Sequence, residues 1–178
     1  MTAMTVRYRV TRQGASGFAD AWTTLGGTVG HATDRTLIDE LRAWIGDARV
    51  VAGPQPRFDG LDGAARWPAC GVGTTARAEV AVIQATAAVA QTASVVVDSD
   101  ANNGRALSLL APRAIFVIDA ATIVDSPADV LRSRDRWWPK GPPSQIVMIT
   151  GPSRSADIEM TLTIGIHGPG IVHALIVH

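Results

Sequence analysis

Arg113-Ala-Ile-Phe-Val-Ile-Asp119 decides the fold. Its interior, Ala114 to Ile118, is wholly apolar between two charged ends, with no alternation of polar and apolar positions. A strand that offers water neither face belongs inside a sheet covered on both sides. Working outward, Ser94-Val-Val-Val-Asp98 is a β-branched strand closed by the polar turn Asp98-Ser-Asp-Ala-Asn-Asn-Gly104. Gln145-Ile-Val-Met-Ile-Thr150 and Ile171-Val-His-Ala-Leu-Ile-Val177 repeat the pattern downstream. Upstream, Val80-Ala-Val-Ile83 reads as a buried strand, Ala85–Ala90 as a helical turn, and Arg49-Val-Val-Ala52 as a short strand.

Helical segments lie between these runs. Leu37, Ile38, Leu41, Trp44 and Ile45 fall on one helical face, with Asp34 as the expected N-cap and Gly46 as the stop. Arg105–Leu110 reads as a short helix stopped by Pro112. Ser126-Pro127 opens another that runs through Leu131, with proline at its first position. Strands apolar on both faces and separated by helices predict an α/β protein, a single-domain layered sandwich. The Gly/Pro-rich stretch Pro54–Gly73 reads as a long loop, a feature that is either functional or mobile.

Composition narrows the function. The chain has 178 residues, 16 basic and 16 acidic side chains and one cysteine, with 47 % hydrophobic residues. A neutral balance argues against a dedicated binder of nucleic acid or of a membrane surface. Arg132–Lys140, which mixes basic residues with Trp137 and Trp138, therefore reads as a rim or partner-contact surface. Cys70 by itself forms no internal disulfide, no cysteine-ligated zinc site and no iron–sulfur cluster. Neither a signal-peptide core nor a membrane-length apolar run occurs, which predicts a soluble, cytoplasmic protein.

In α/β sheets, ligands gather beyond the carboxyl ends of strands. Three loops qualify: Asp98–Gly104, Asp119–Ser126 and Gly151–Asp157. The last is the richest. Gly151 allows close backbone approach, Ser153 and Ser155 bring hydroxyls, and Arg154 brings a planar guanidinium for a small anionic metabolite. Asp157 and Glu159 add carboxylates as acid–base candidates. A helix capped by Ser155 would turn its free N–H groups onto the same space. The residues that follow fit two readings. Ile158, Met160, Leu162, Ile164 and Ile166 alternate like a strand, while the serine-rich start and the Gly165 stop tip the reading slightly to a helix. A plain turn, with Arg154 paired to Asp157 or Glu159, accounts for the same residues. His167, before the Gly168-Pro169-Gly170 turn, is the best catalytic histidine, and it equally suits a structural role bonding that turn. His31, His173 and His178 are scattered, with no metal-binding spacing, so no metal site is expected. Walker, dinucleotide and nucleophile-elbow signatures are absent.

The run from Ile149-Thr-Gly-Pro-Ser-Arg-Ser-Ala-Asp-Ile-Glu159 through Ile166-His-Gly-Pro-Gly-Ile-Val-His173 resembles the C-terminal signature of the LUD (lactate utilization) domain. The resemblance is to its lactate utilization protein C (LutC, YkgG-like) type. Arg105-Ala-Leu-Ser-Leu-Leu-Ala-Pro112 resembles that family's Leu-Ser-Leu-Leu-Pro-Pro stretch. The similarity runs from about Val72 to His178 and fades before Arg35, which divides the chain into an N-terminal segment, 1–34, and a LUD-like domain, 35–178. It implies a fold of the NagB/RpiA/CoA-transferase type. It also implies a part in oxidising L-lactate to pyruvate beside an iron–sulfur LUD protein and a cysteine-rich protein, with the cluster held by the partner and no cofactor on this chain. One place departs from the family. Ala-Glu-Thr-Gly-Thr becomes Ala90-Gln-Thr-Ala-Ser94, so Gln91 and Thr92 stand where the family's ligand-side residues would be, and Ala93 replaces a glycine. Whether the chain is itself an enzyme stays open; a small-molecule enzyme and a non-catalytic binding scaffold are the alternatives.

Overall fold

The computed structural model describes residues 14–102, 106–156, 162–165 and 167–178. The chain runs α1 (Gly14–Thr24), β1 (Thr28–Ala32), α2 (Leu37–Ile45), β2 (Val50–Ala52), β3 (Ala65–Arg66), α3 (Gly71–Arg77), β4 (Val80–Gln84), β5 (Ala87–Val89) and β6 (Ser94–Asp98). It continues through α4 (Leu107–Leu110), β7 (Arg113–Asp119), β8 (Ile123–Val124), α5 (Pro127–Arg132), α6 (Arg134–Trp137), β9 (Ile146–Thr150), β10 (Arg154–Ala156), β11 (Leu162–Ile164) and β12 (Ile171–Val177).

Six strands form the main sheet in the order β1-β12-β7-β4-β2-β3, and every pairing in it is parallel. Ala114 to Ile118 of β7 are completely buried. Their side chains divide by pleat. Ala114, Phe116 and Ile118 pack with Phe18 and Trp22 of α1 and with Val95 and Val97 of β6. Ile115 and Val117 pack with Leu37 and Leu41 of α2 and with Phe58. Full burial of side chains such as Phe116 and Ile115 stabilises the fold by about 1.5–3 kcal/mol each.

A second sheet, in the order β8-β5-β6-β9, lies on the α1 face of the first. Its outer side, Ala87, Val89 and Val96, is covered by Val130 of α5 and by Trp138. The layered α/β expectation holds, with a difference. Strands β6 and β9 do not join the parallel sheet; they pair antiparallel in this second one. Ala85–Ala90 is not a helical turn, because Ala87–Val89 pairs with Val96, Val95 and Ser94 of β6. A strand pressed between two packed layers favours small side chains, and alanine's helical preference yields to that burial. The helix expected after Ser155 is also corrected. Arg154–Ala156 and Leu162–Ile164 pair antiparallel, and Gly165 turns with φ +83°. Asp157, Glu159 and Ile158 lie outside the described residues.

Two local expectations shift. Helix α2 is preceded by Thr36, not capped by Asp34, whose carboxylate is instead 2.8 Å from Arg57. The Pro54–Gly73 stretch is no open loop: Phe58, Leu61 and Trp67 anchor it in the core. The described residues before Arg35, 14–34, pack into the same body, since β1 pairs along its whole length with β12. The break near residue 34 is one of sequence resemblance, not of packing.

Ala93, in the β5–β6 turn, holds φ +48° and is buried. This is a left-handed backbone position, of the kind that favours glycine. Glycine at this position relieves strain but loses a buried methyl and adds chain entropy, terms that nearly cancel. Ala93→Gly is expected to change stability by less than about 1 kcal/mol, and Ala93→Val to cost about 2 kcal/mol or more, because a β-branched residue resists positive φ. Urea unfolding of the two variants checks this; equal effects would contradict the left-handed turn.

Candidate functional site

The strand order fixes where chemistry can gather. Taken from β3, the sequence β3-β2-β4-β7-β12 reverses direction between β2 and β4. In an open parallel sheet that reversal leaves a crevice at the carboxyl ends of the two strands. Gly53 follows β2 and Gln84 ends β4. Around them the carboxyl crest of the sheet is densely polar.

Arg57 is its hub. Nη1 donates to Asp119 Oδ1 at 2.7 Å and to Gln84 Oε1 at 3.2 Å, and Nη2 donates to Asp34 Oδ1 at 2.8 Å. Asp119 ends β7, so one guanidinium ties together loops from three strands. Gln84 Nε2 donates to Ala85 O at 3.0 Å. Asp98, at the end of β6, is buried, and its carboxyl oxygens accept four hydrogen bonds. Oδ1 takes the backbone N–H groups of Asp100 (2.9 Å) and Ala101 (2.7 Å). Oδ2 takes Trp138 Nε1 (3.1 Å) and the Thr86 hydroxyl. This carboxylate shapes the Ala101–Asn102 turn and brings it over Gly53.

Among the described residues, two acceptors at the crevice have no donor. Asn102 is fully buried; its Nδ2 donates to Gln84 O at 3.1 Å, which turns Oδ1 away without a partner. Gln55 Nε2 donates to Ala101 O, and its Oε1 is likewise buried and unpartnered. Both oxygens border Gly53. A Cβ there would sit 2.5 Å from Gln55 Oε1 and 3.5 Å from Asn102 Oδ1, so a side chain at position 53 would displace the Gln55 amide. Leaving such a group unpaired costs about 1–3 kcal/mol. Hydroxyl, amide or amine donors are the chemistry that complements this pair.

The residues singled out in the sequence lie at the other end of the second sheet. Ser94 Oγ contacts Thr92 Oγ1 at 2.7 Å and Thr150 Oγ1 at 2.6 Å, which links the Gln91–Thr92 turn to the Gly151 loop. Gly151 has φ +69° and packs on Leu25. A cleft of about 410 Å³ is lined by Thr150, Gly151, Ser153, Arg154, His167 and others, beside the amino end of β12. The structure thus brings Gly151, Ser153, Arg154 and His167 together. Arg154 is engaged, donating from Nη2 to Leu25 O at 2.6 Å and clasping the end of α1. Ser155 lies in β10 and heads no helix. Of the three loops expected at the carboxyl ends, those opening at Asp98 and Asp119 reach the crest, while the Gly151 loop lies opposite. In the Arg132–Lys140 stretch, Trp138 is buried and Arg136 covers the Trp137 ring at 4.5 Å, so neither indole is free to stack on a base. Among the described residues no group of three or more His, Cys, Asp or Glu converges as a metal cage.

A profile of the LUD domain matches residues 74–177. The chain belongs to the LUD domain family. Lactate utilization protein C of Oceanobacillus iheyensis is 33 % identical over 103 residues, 57 % of this chain and 44 % of that protein. A protein of the same name from a Geobacillus species is 33 % identical over 155 residues, covering 76 % and 64 %. YkgG of Escherichia coli is 33 % identical over 140 residues, covering 70 % and 61 %. This LUD chain thus spans about half the length of the curated relatives it matches, from 44 % to 64 % in these three. The crystal structure of a DUF162 family protein from Deinococcus radiodurans superposes with a TM-score of 0.69 at 21 % identity, over 92 % of this chain and 95 % of that one. At that identity the likeness shows the shared fold. Within the LUD match lie Gln84, Asp98, Asn102, Asp119 and the whole cleft; Asp34, Gln55 and Arg57 precede it.

Among the described residues, neither ring nitrogen of the half-buried His173 in β12 has a partner. It rests on Trp44, with ring centroids 5.1 Å apart, and burial, then the nearby Arg113 charge, hold its pKa below the ordinary value. The unfolded chain takes up this proton near pH 6.5 and the folded chain only at lower pH. Its contribution to stability is therefore complete above about pH 6.5 and falls as the pH drops below it. His173→Leu, which removes two unpaired nitrogens, is expected to preserve or raise stability at pH 5.5 and to flatten the slope between pH 7 and 5.5. Chemical unfolding at both pH values measures this; an unchanged slope would refute the assignment.

Proposed function

We propose that this chain serves lactate utilisation as a LutC-like subunit, acting with an iron–sulfur partner and a cysteine-rich protein in the oxidation of L-lactate to pyruvate. The observation that carries the reading is the LUD match over residues 74–177 with relatives named lactate utilization protein C. A single cysteine, half-buried beside Thr75, supports a division of labour in which the partner holds the redox centre. Among the described residues no helix is long and apolar enough to cross a membrane, which suits work beside other proteins in the cytoplasm.

The chain's own contribution in this reading is to bind a small polar metabolite. Gln55 Oε1 and Asn102 Oδ1 lie buried beside Gly53, and a donor such as a hydroxyl reaches them by displacing the turn that covers them. The opposite cleft offers Ser153, Arg154 and His167 to an anionic group, with Gln91 and Thr92 joined to it through Ser94. Deleting the gene is expected to abolish growth on L-lactate as sole carbon source, with the wild-type gene restoring it; undiminished growth would overturn the lactate role. With the isolated chain, L-lactate or pyruvate at about 100 times its Kd is expected to add about 2.7 kcal/mol of stability. Gln55→Leu removing that gain, with Arg154→Ala leaving it, assigns the ligand to the crevice. The reverse pattern assigns it to the cleft. No gain with either compound would remove the proposed ligand role.

A further inference from the structure

The four histidines are scattered in sequence, yet two of them meet. His31 lies near the end of β1, and His178 directly follows β12, the strand beside it. They are 147 positions apart, with His31 Nδ1 2.9 Å from His178 Nε2. The rings are stacked at 26°, with centroids 5.2 Å apart, and both residues are exposed. The backbone beneath them is fixed: His31 is in register with Ile176, and His178 N–H donates to Ala32 O at 2.9 Å.

We propose that His31 and His178 form a two-histidine binding site for a borderline divalent transition metal, of the Ni²⁺ or Cu²⁺ kind. Imidazole nitrogens bind such ions at about 2.0–2.1 Å, so two ligands at right angles stand about 2.9 Å apart. The observed separation is that of adjacent ligands on a square-planar or octahedral ion, and is shorter than the tetrahedral value of about 3.3 Å. The hydrogen bond already places one ring nitrogen against the other. An ion binds beside the N···N line once the donor imidazole moves its N–H to the opposite ring nitrogen and both exposed rings turn so that their lone pairs converge. Both side chains rise from paired strands at the solvent-facing carboxyl crest, so little ordering is needed and an ion can enter directly. With two protein ligands, the remaining coordination positions stay open to water or to a small oxygen chelator. An all-nitrogen pair selects along the Irving–Williams order, Cu²⁺ above Ni²⁺ above Co²⁺, and gives Mg²⁺ and Ca²⁺ nothing to prefer.

Isothermal titration of tag-free protein with NiCl₂ tests the site, against His31→Ala, His178→Ala and the exposed control Asp20→Ala. One Ni²⁺ per chain is expected. Each of the first two substitutions is expected to weaken binding by at least about tenfold, the least that loss of even an outer-shell partner costs a metal site. The control should bind like the wild type. Thermal unfolding of the unloaded variants confirms that they fold, as exposed positions should allow. The proposal is overturned if Ni²⁺ does not bind, if either His31→Ala or His178→Ala binds as the wild type does, or if Mg²⁺ binds as tightly as Ni²⁺.

Discussion

Everything in this molecule depends on β7 being dry on both sides. A parallel strand has its hydrogen-bonding groups used by β12 and β4 and its side chains claimed by the layers above and below. Polar chemistry is thereby expelled from the middle of the sheet to its two ends. The carboxyl end collects Arg57, Asp119, Gln84 and the histidine pair. The amino end of β12 collects Ser153, Arg154 and His167. The distribution of function over the surface follows from a burial requirement at the centre.

Asp98 shows how the second sheet is fastened to that scheme. Its four donors come from its own turn, from the segment after β4, and from Trp138 beyond α6. A buried carboxyl group so surrounded is costly to disturb, because removing it strands several donors at once. It holds the turn bearing Asn102 in one conformation, with the amide oxygen facing Gly53. The unpartnered acceptors are therefore imposed by a well-satisfied neighbour rather than by loose packing.

The sequence carried the strands whose burial is local in character. Arg113–Asp119, Ser94–Asp98 and Ile171–Val177 each declare themselves by β-branched apolar runs, broken only at His173 in the last. Ala87–Val89 does not, since alanine fits a helix as well as a crowded strand and only its neighbours decide. β1, Thr28-Val-Gly-His-Ala32, has no strand pattern: Gly30 is needed because Trp44 lies against it, a contact set by α2 and invisible along the chain. The crest was legible as loops but not as residues. Gln55, Arg57 and Gln84 become neighbours through strand order, and no spacing in the sequence encodes that. The cleft residues were legible individually, because glycine, serine and arginine after an apolar strand carry their own chemistry.

The pairing of β1 with β12 has a consequence for how the chain is made. Residues 28–32 leave the ribosome long before their hydrogen-bonding partner, 171–177. Until then α1 and β1 have only one side of their final surroundings, and Arg154 has not yet reached Leu25. The centre of the sheet, β2, β4 and β7, can assemble from neighbouring segments in the meantime. The sheet is therefore completed by a closing step of long sequence separation, and the edge of β7 waits for it. Such late, non-local closure slows folding and leaves an unpaired apolar strand as the point at which a nascent chain is most open to chaperones or to wrong partners.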